Sequence, residues 1–117
     1  MNLGKVGHKG EDMVAKFLIN KGCCVVKRNY ICRFGEIDII AQKGDLLLFV
    51  EVKTRQSNSL VKPYEAVDAN KIQRMTLTAQ DYIVKTESEA LQPRFDVASV
   101  TVTKDNKYHL NYIKNAF

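Results

Sequence analysis

The chain has 117 residues, of which 45% are hydrophobic and 26% are charged, a balance typical of one globular domain. This length is enough to bury a single core without disulfides or a structural metal. No apolar stretch approaches the ~20 residues of a membrane span, and no apolar signal core follows the first residues, so we expect a cytoplasmic protein without membrane contact. Cys23, Cys24 and Cys32 lack the paired spacing of a zinc site, which favours reduced structural thiols.

The formal charge of +5 favours a polyanionic partner without specifying one. Five acidic residues belong to the candidate centre described below: Glu11, Asp12, Glu36, Asp38 and Glu51. Basic residues surround them in the sequence: Lys5, Lys9, Lys27, Arg28, Arg33, Lys53, Arg55, Lys71 and Arg74. An acidic centre inside a basic rim suits a metal ion held between the protein and a phosphate backbone. A solvated surface of mixed charge is the alternative, and charge counts alone favour it.

The first predicted element is a helix from Glu11 to Lys21, which Gly22 ends. Val14 and Leu18 belong to its buried stripe, and Glu11 lies on the same face at the first turn. A carboxylate in that position needs a partner. The free N–H groups of the helix N-terminus and a role in a functional site explain it equally well.

Three strands are predicted next, at 23–29, 36–41 and 46–55, followed by a polar segment at 56–59. Pro63 starts a brief helical turn over 64–67, and the stretch before it lies where a loop contacting the substrate would belong. A helix from Lys71 to about Lys85, capped by Asp68 or Asn70, precedes strands at 95–103 and 108–113. The order αβββαββ predicts an α/β or α+β fold in which helices pack on a mixed five-stranded sheet, as one domain over 1–117.

The second and third strands are predicted to form a hairpin. If Gly44 and Asp45 make a two-residue turn, Lys43 pairs with Leu46, Asp38 faces Glu51 and Glu36 faces Lys53. Facing carboxylates repel each other, so such a pair usually has a cation between them. A three-residue loop would place Asp38 and Glu51 on opposite faces and remove the metal hypothesis.

The residues of this hairpin suit hydrolysis of a phosphodiester. Mg²⁺ prefers oxygen ligands, which Asp38, Glu51 and the Val52 carbonyl can provide. Lys53 shares the Glu51 face and would put its ammonium beside an attacking water or a developing oxyanion. The simpler alternative is a surface ladder of salt bridges, with Glu36 against Lys53, worth only ~0.2–1 kcal/mol each. Spacing alone favours this alternative.

Short motifs spread over the whole chain are shared with a known family. They are Gly10-Glu11, Asn29-Tyr30, Arg33 to Asp38, Phe49 to Arg55, Glu65-Ala66-Val67, Lys71, Arg94 to Val97 and Asn115-Ala116-Phe117. In these motifs the chain resembles the bacterial YraN family of poorly characterised proteins, nearly end to end. The resemblance implies the restriction-endonuclease-like PD-(D/E)XK nuclease fold, related to archaeal Holliday-junction resolvases. It also implies a divalent-metal site made by Asp38, the Glu-x-Lys pair Glu51 and Lys53, and Glu11 of the first helix.

We therefore expect a Mg²⁺- or Mn²⁺-dependent endonuclease that hydrolyses DNA, in preference to RNA, with branched or single-stranded DNA as candidate substrates. Asp38, Glu51 and Val52 would bind the metal, Lys53 would stabilise the transition state and Glu11 would assist. The residues expected to bind nucleic acid are Arg33, Arg55, Lys71 and Arg74. The alternatives are a non-catalytic nucleic-acid-binding module with the same fold and a protein-interaction domain with incidental charge. Junction-cutting relatives tend to be dimers, and this analogy favours a homodimer.

Overall fold

A computed structural model describes residues 3–57 and 68–117 of the chain. The elements follow the order α1 (Leu3–Asn20), β1 (Cys24–Cys32), β2 (Gly35–Lys43), β3 (Leu46–Gln56), α2 (Ala69–Lys85), β4 (Gln92–Val102) and β5 (Tyr108–Ile113). The predicted fold class and the order αβββαββ are confirmed. The predicted turn at 64–67 and the loop before Pro63 lie outside the described residues.

The five strands form one mixed sheet in chain order, β1-β2-β3-β4-β5. Neighbouring strands are antiparallel except for β3 and β4, which run parallel with Leu46 beside Gln92. Parallel neighbours need a crossover connection, and α2 lies between these two strands in the chain. As a result, the carboxyl ends of β3 and β4 lie side by side.

The two helices cover opposite faces of the sheet. Beneath α1, a buried cluster includes Val14, Leu18, Ile39, Leu48, Val50, Ala98 and Val100. Beneath α2, a second cluster includes Ile37, Ile40, Leu47, Phe49, Met75 and Ala79. Consecutive strand residues such as Leu47 and Leu48 thus belong to different clusters, which explains why β3 is apolar without alternation. No helix in the described ranges has the length and apolar character needed to cross a membrane.

Helix α1 starts at Leu3, so the predicted start at Glu11 is wrong. Glycine lowers helix stability by ~1 kcal/mol relative to alanine, and Gly4, Gly7 and Gly10 therefore favoured a later start. Gly10 has a packing role instead, because a Cβ at this position would collide with Oγ1 of Thr54 in β3. The close approach of α1 to β3 places the following residue, Glu11, at the sheet.

The predicted stop at Gly22 and the predicted cap at Asp68 are confirmed, although α1 ends at Asn20, one residue before the predicted Lys21, and α2 starts at Ala69, two residues before the predicted Lys71. Gly22 follows α1 with a φ of +89°, and the N–H of Cys23 donates to the Leu18 carbonyl at 2.9 Å, as in a glycine-terminated helix. Asp68 caps α2, since its Oδ1 accepts the N–H of Lys71 at 2.8 Å.

Four strands differ from their predicted limits, β3 only in ending one residue later, at Gln56. β1 was expected at 23–29 but runs from Cys24 to Cys32, because its pairing with β2 continues past Asn29. Asn29 itself has a φ of +53°, which asparagine tolerates. β2 is longer at both ends, from Gly35 to Lys43, and β4 begins at Gln92, whose N–H donates to the Asp45 carbonyl at 2.7 Å.

The β2–β3 hairpin has the predicted two-residue turn. Gly44 has a φ of +58°, and Lys43 pairs with Leu46. The antiparallel register then continues to the pair of Ile39 and Val50. The expected pairs Asp38–Glu51 and Glu36–Lys53 lie beyond the end of this ladder, and Glu36 instead pairs with Ile31 of β1.

Candidate metal and nucleic-acid site

The candidate site lies at the fork, which we define as the region where β2 and β3 separate beyond Ile39 and Val50. The N–H of Val52 donates there to Oδ2 of Asp38 at 2.7 Å, so a carboxylate replaces the next backbone acceptor. The N–H and C=O groups of one strand residue point to the same side. The Val52 carbonyl therefore also faces the fork.

A change of strand direction at Asp38 produces the fork. Strict alternation would put Ile37 and Ile39 on one face, yet Ile37 packs beneath α2 and Ile39 packs beneath α1. Asn29, with its positive φ, lies at the matching point of β1 between Arg28 and Tyr30. In both strands, the side chains before and after this point lie on opposite faces of the sheet, and here β2 separates from β3.

Glu51 is a buried charge with two cationic partners. Its side chain is only 6% exposed, and its Oε1 lies 3.3 Å from Lys53 Nζ and 3.1 Å from Lys71 Nζ. Buried carboxylates need such compensation, since removal from water destabilises an unpaired charge. Lys53 comes from the same strand, as predicted, whereas α2 supplies Lys71, for which the sequence predicts only nucleic-acid binding.

The fork concentrates negative charge around Asp38. Burial and the charge of Glu51 raise the pKa of Asp38 to about 7 from an ordinary value of 3.8, although the Val52 N–H acts in the opposite direction. The charges of Glu11 and Glu36 raise this pKa further. Asp38 and Glu51 therefore lie close enough to repel each other, as the predicted turn required.

Glu11 also lies at the fork, and the structure excludes one of the two explanations for its position on the apolar face of α1. Its side chain is 15% exposed and lies 3.3 Å from Arg28 of β1, and Arg28 also binds Asp12 at 2.9 Å. Because α1 begins at Leu3, Glu11 is not in the first turn, and stabilisation by the helix N-terminus is excluded. Glu11 is thus held by Arg28 within electrostatic reach of Asp38.

The oxygen atoms at the fork match the chemistry of a hard divalent cation. Within residues 3–57 and 68–117, no group of three or more His, Cys, Asp or Glu side chains is arranged to hold a metal ion. Mg²⁺ normally uses only one or two protein carboxylates, together with water and substrate phosphate. Oδ1 of Asp38 accepts no hydrogen bond from a described residue, and the raised Asp38 pKa means that added positive charge is favourable. Asp38, Glu51 and the Val52 carbonyl thus form a donor set suited to Mg²⁺ or Mn²⁺.

The predicted nucleic-acid-binding residues fall into different environments. Arg33 stacks on Phe34 at 4.7 Å, next to Gly35, and an ideal Cβ at Gly35 would be 3.7 Å from Cβ of Arg74. The β1–β2 turn and α2 therefore bring two exposed arginines into one neighbourhood. Arg55 is half-buried, and its Nε has no hydrogen-bond partner among the described residues.

Sequence reasoning missed Ser99 on β4. The parallel register places it beside Lys53, and its side chain is almost fully buried at 2% exposure. Its Oγ has no partner in the part of the chain that the structure describes. A lone serine in an apolar strand gives only a weak sequence signal, and its contact with β3 depends on a parallel pairing between distant segments.

The sequence matches known proteins over most of its length. Residues 10–100 match the model of the uncharacterised protein family UPF0102. A UPF0102 protein of Dictyoglomus thermophilum is 42% identical over 118 aligned positions that cover 100% of both chains. A UPF0102 protein of Alkaliphilus metalliredigens is 45% identical over 112 positions, which cover 96% of each chain. One of Clostridium perfringens is 42% identical over 113 positions, which cover 96% of this chain and 93% of the relative. The chain therefore belongs to the YraN-like family UPF0102.

Proposed function

We propose that this protein is a Mg²⁺- or Mn²⁺-dependent endonuclease of the PD-(D/E)XK type that hydrolyses phosphodiester bonds in DNA. The observation that supports this most strongly is the fork itself. Asp38, Glu51 and Lys53 lie together there, beyond the last residue pair of the β2–β3 ladder. The resemblance to restriction-endonuclease-like enzymes implies that such a set of residues holds a divalent cation.

In this proposal Asp38, Glu51 and the Val52 carbonyl hold the ion. When bound, such an ion would supply positive charge at the scissile phosphate and would favour the deprotonation of an attacking water. Glu51 cannot leave its position, because β3 is central in the sheet and its side chain is buried. Asp38 is fixed by the Val52 N–H. These constraints give the carboxylates a defined position before substrate binds. Preorganised charges of this kind stabilise a transition state without having to rearrange during the reaction.

Lys53 and Lys71 have complementary roles. Both ammonium groups lie on Oε1 of Glu51, so the carboxylate is already neutralised before a cation or phosphate is added. Lys53 remains on the Glu51 face of β3 and orients the attacking water or stabilises the charge on the phosphoryl oxygens. Lys71 lies on α2 and can transfer its contact from Glu51 to an entering phosphate. Glu11, held by Arg28, assists by adding negative charge that retains the cation.

DNA is the proposed substrate because the fork has basic residues on its α2 side. Lys71 and Arg74 are one helical turn apart, and Arg74 lies close to Gly35, which follows Arg33 by two residues. Gly35 is three residues from Asp38, or ~10 Å along the strand. Cations at this spacing can bind phosphates on either side of the bond that is cut, which predicts strongly salt-dependent affinity.

The first experiment measures cleavage of linear duplex, single-stranded and four-way-junction DNA with Mg²⁺ or Mn²⁺. We expect cleavage of at least one substrate by the wild-type protein and its loss in Asp38→Asn, Glu51→Gln and Lys53→Ala. Asp105→Asn in the exposed β4–β5 turn is the matched control and should cut normally. Cleavage that persists in all three site variants would identify a contaminating nuclease and contradict the proposal.

The second candidate function is a non-catalytic nucleic-acid-binding module. Neutralisation of Glu51 by two lysines favours it, since these pairs satisfy the carboxylate without a metal. It predicts salt-sensitive DNA binding that is independent of divalent cations and depends more on Arg55, Lys71 and Arg74 than on Asp38. A Mg²⁺ titration of DNA binding with wild-type and Asp38→Asn proteins separates the two functions.

A further inference from the structure

A cavity of ≈ 410 Å³ lies on the α1 side of the sheet. Leu46 and Leu48 form an apolar part of its wall. Phe17 and Tyr112 also line it, and their rings pack together with centroids 5.0 Å apart. This volume is within the range of small-molecule sites, which are mostly apolar with a few polar groups that fix the ligand. The walls thus offer surface for a flat apolar body of moderate size.

The charged groups around this cavity are all cationic: Lys21, Lys43, Arg94 and Lys114 line it together with no acidic side chain. Arg94 is neutralised by a two-pronged contact with buried Asp96, at 2.9 Å for each hydrogen bond. The three lysines form no ion pair with an acidic side chain of residues 3–57 or 68–117. Three positive charges therefore remain without compensation beside an apolar cavity.

Two of these lysines are brought together by the end of α1. An ideal Cβ at Gly22 would be 3.6 Å from Cε and 3.9 Å from Nζ of Lys43, so the Lys43 side chain lies across this glycine. Lys21 precedes Gly22 and places its ammonium 5.6 Å from the centre of the Phe17 ring. The positive charge is thus concentrated next to the aromatic wall.

The cavity is separate from the fork. Lys43 is the last residue of β2, and Asp38 lies five residues earlier, ~17 Å away along the strand. Leu48, in the cavity wall, belongs to the cluster beneath α1, whereas Phe49 and the neighbouring Glu51 side chain lie on the α2 side, where Lys71 reaches Glu51. A ligand in the cavity would therefore not touch the candidate metal ligands.

We propose that this cavity binds a small phosphorylated ligand with a flat apolar body, of the class of nucleoside monophosphates. Three uncompensated ammonium groups favour a phosphate dianion over the single charge of a carboxylate such as a fatty acid. An inorganic phosphate would leave the leucine and aromatic walls uncovered. A base or similar ring packs against these walls while its phosphate reaches Lys21, Lys43 and Lys114.

Calorimetric titration of the full chain at low salt, without divalent cations, tests this site with AMP, adenosine, inorganic phosphate and decanoate. We expect AMP to bind at least about tenfold more tightly than each of the other three, since only AMP offers both the dianion and the ring. The double variant Lys43→Gln/Lys114→Gln should lose about tenfold or more in AMP affinity, because two charge-assisted contacts are removed. Lys104→Gln, which removes an exposed lysine in the turn between β4 and β5, is the charge-matched control and should bind AMP as the wild type does.

Each result decides the proposal. AMP binding no tighter than that of adenosine or phosphate, tighter binding of decanoate, or an unchanged double variant would overturn it. The site does not depend on the proposed nuclease activity. Glu51→Gln should therefore keep its AMP affinity, and the two proposals can fail independently.

Discussion

Nζ of Lys71, in the first turn of α2, lies 3.1 Å from the buried Glu51 carboxylate on β3. This contact joins the crossover helix to the central strand at the candidate site. Asp68 caps α2 three residues earlier, so the helix start that positions Lys71 is itself fixed by a side-chain hydrogen bond. The local stability of α2 and the charge balance of the site are thus connected.

Loss of Lys71 should destabilise the protein. Lys71→Gln leaves buried Glu51 with Lys53 as its remaining described cation, and we expect the free energy of unfolding to fall by about 1–3 kcal/mol. Urea denaturation measures the change. In the double variant Glu51→Gln/Lys71→Gln the loss should be smaller than the sum of the single losses, because neither charge is left alone.

The control for Lys71 is Lys85→Gln, which removes an exposed lysine paired with Asp81 on the same helix. Exposed pairs of this kind contribute little, so its unfolding should match the wild type. If Lys71→Gln were as stable as Lys85→Gln, the Lys71–Glu51 contact would not be important in solution.

Stability should decrease with pH because of Asp38. Its folded-state pKa of about 7 lies above the ordinary value of 3.8, so the folded protein holds a proton that the unfolded chain has released. The free energy of unfolding therefore falls between about pH 4 and pH 7, by up to ~1.4 kcal/mol per pH unit, and levels above that range.

Urea denaturation from pH 4.5 to 8 measures this dependence, with Asp38→Asn as the comparison. Asparagine keeps an oxygen that can accept the Val52 N–H but does not titrate. In Asp38→Asn the part of the fall in unfolding free energy with pH that comes from Asp38 should be absent. The variant should therefore be more stable than the wild type at pH 8. Parallel pH profiles for the two proteins would show that the Asp38 pKa is not raised.

Divalent cations should bind more tightly as the pH rises to about 7. A carboxylate must be deprotonated to bind a metal, so protons compete with Mg²⁺ or Mn²⁺ at Asp38. The midpoint of thermal denaturation can be measured without Mn²⁺ and with Mn²⁺ at concentrations raised in tenfold steps. We expect Mn²⁺ to raise this midpoint more at pH 7.5 than at pH 5.5. Asp38→Asn should abolish the pH dependence of this effect, whereas a stabilisation equal at both pH values would place the ion elsewhere.

Gly10 should be intolerant of a side chain. Alanine increases helix propensity by ~1 kcal/mol, but its Cβ would collide with Oγ1 of Thr54, and we expect a net loss of about 1–3 kcal/mol in Gly10→Ala. Thr54→Ala removes that oxygen and leaves Cβ of residue 54 at an acceptable 3.6 Å from the new Cβ. The double variant should therefore regain most of the lost stability in urea denaturation, and its failure to do so would exclude a local collision as the cause.

Local sequence signals were sufficient for the hairpin that carries Asp38 and Glu51. The turn at Gly44 and Asp45 depends on a positive φ that glycine readily adopts, and one correct turn determines the register of both strands. The change of strand direction at Asp38 could not be predicted in this way. It depends on Asn29 in a neighbouring strand and on which helix covers Ile37 and Ile39.

Long-range contacts account for the rest of the site. The Lys71–Glu51 pair and the position of Ser99 beside Lys53 depend on the α2 crossover and the parallel β3–β4 register. The start of α1 was misjudged because a glycine that weakens an isolated helix is here needed for close packing on Thr54. Tertiary packing overrides local propensity in this case.

The most direct test of the nuclease proposal is the single-turnover rate of DNA cleavage in Mg²⁺ for wild-type, Glu51→Gln and Glu36→Gln proteins. Glu36 is an exposed carboxylate on β2 that the proposal leaves outside the metal ligands. We predict a loss of about 100-fold or more for Glu51→Gln and a rate within about threefold of wild type for Glu36→Gln. Equal rates for wild type and Glu51→Gln, or no cleavage of any DNA substrate by the wild type, would contradict a catalytic site at the fork.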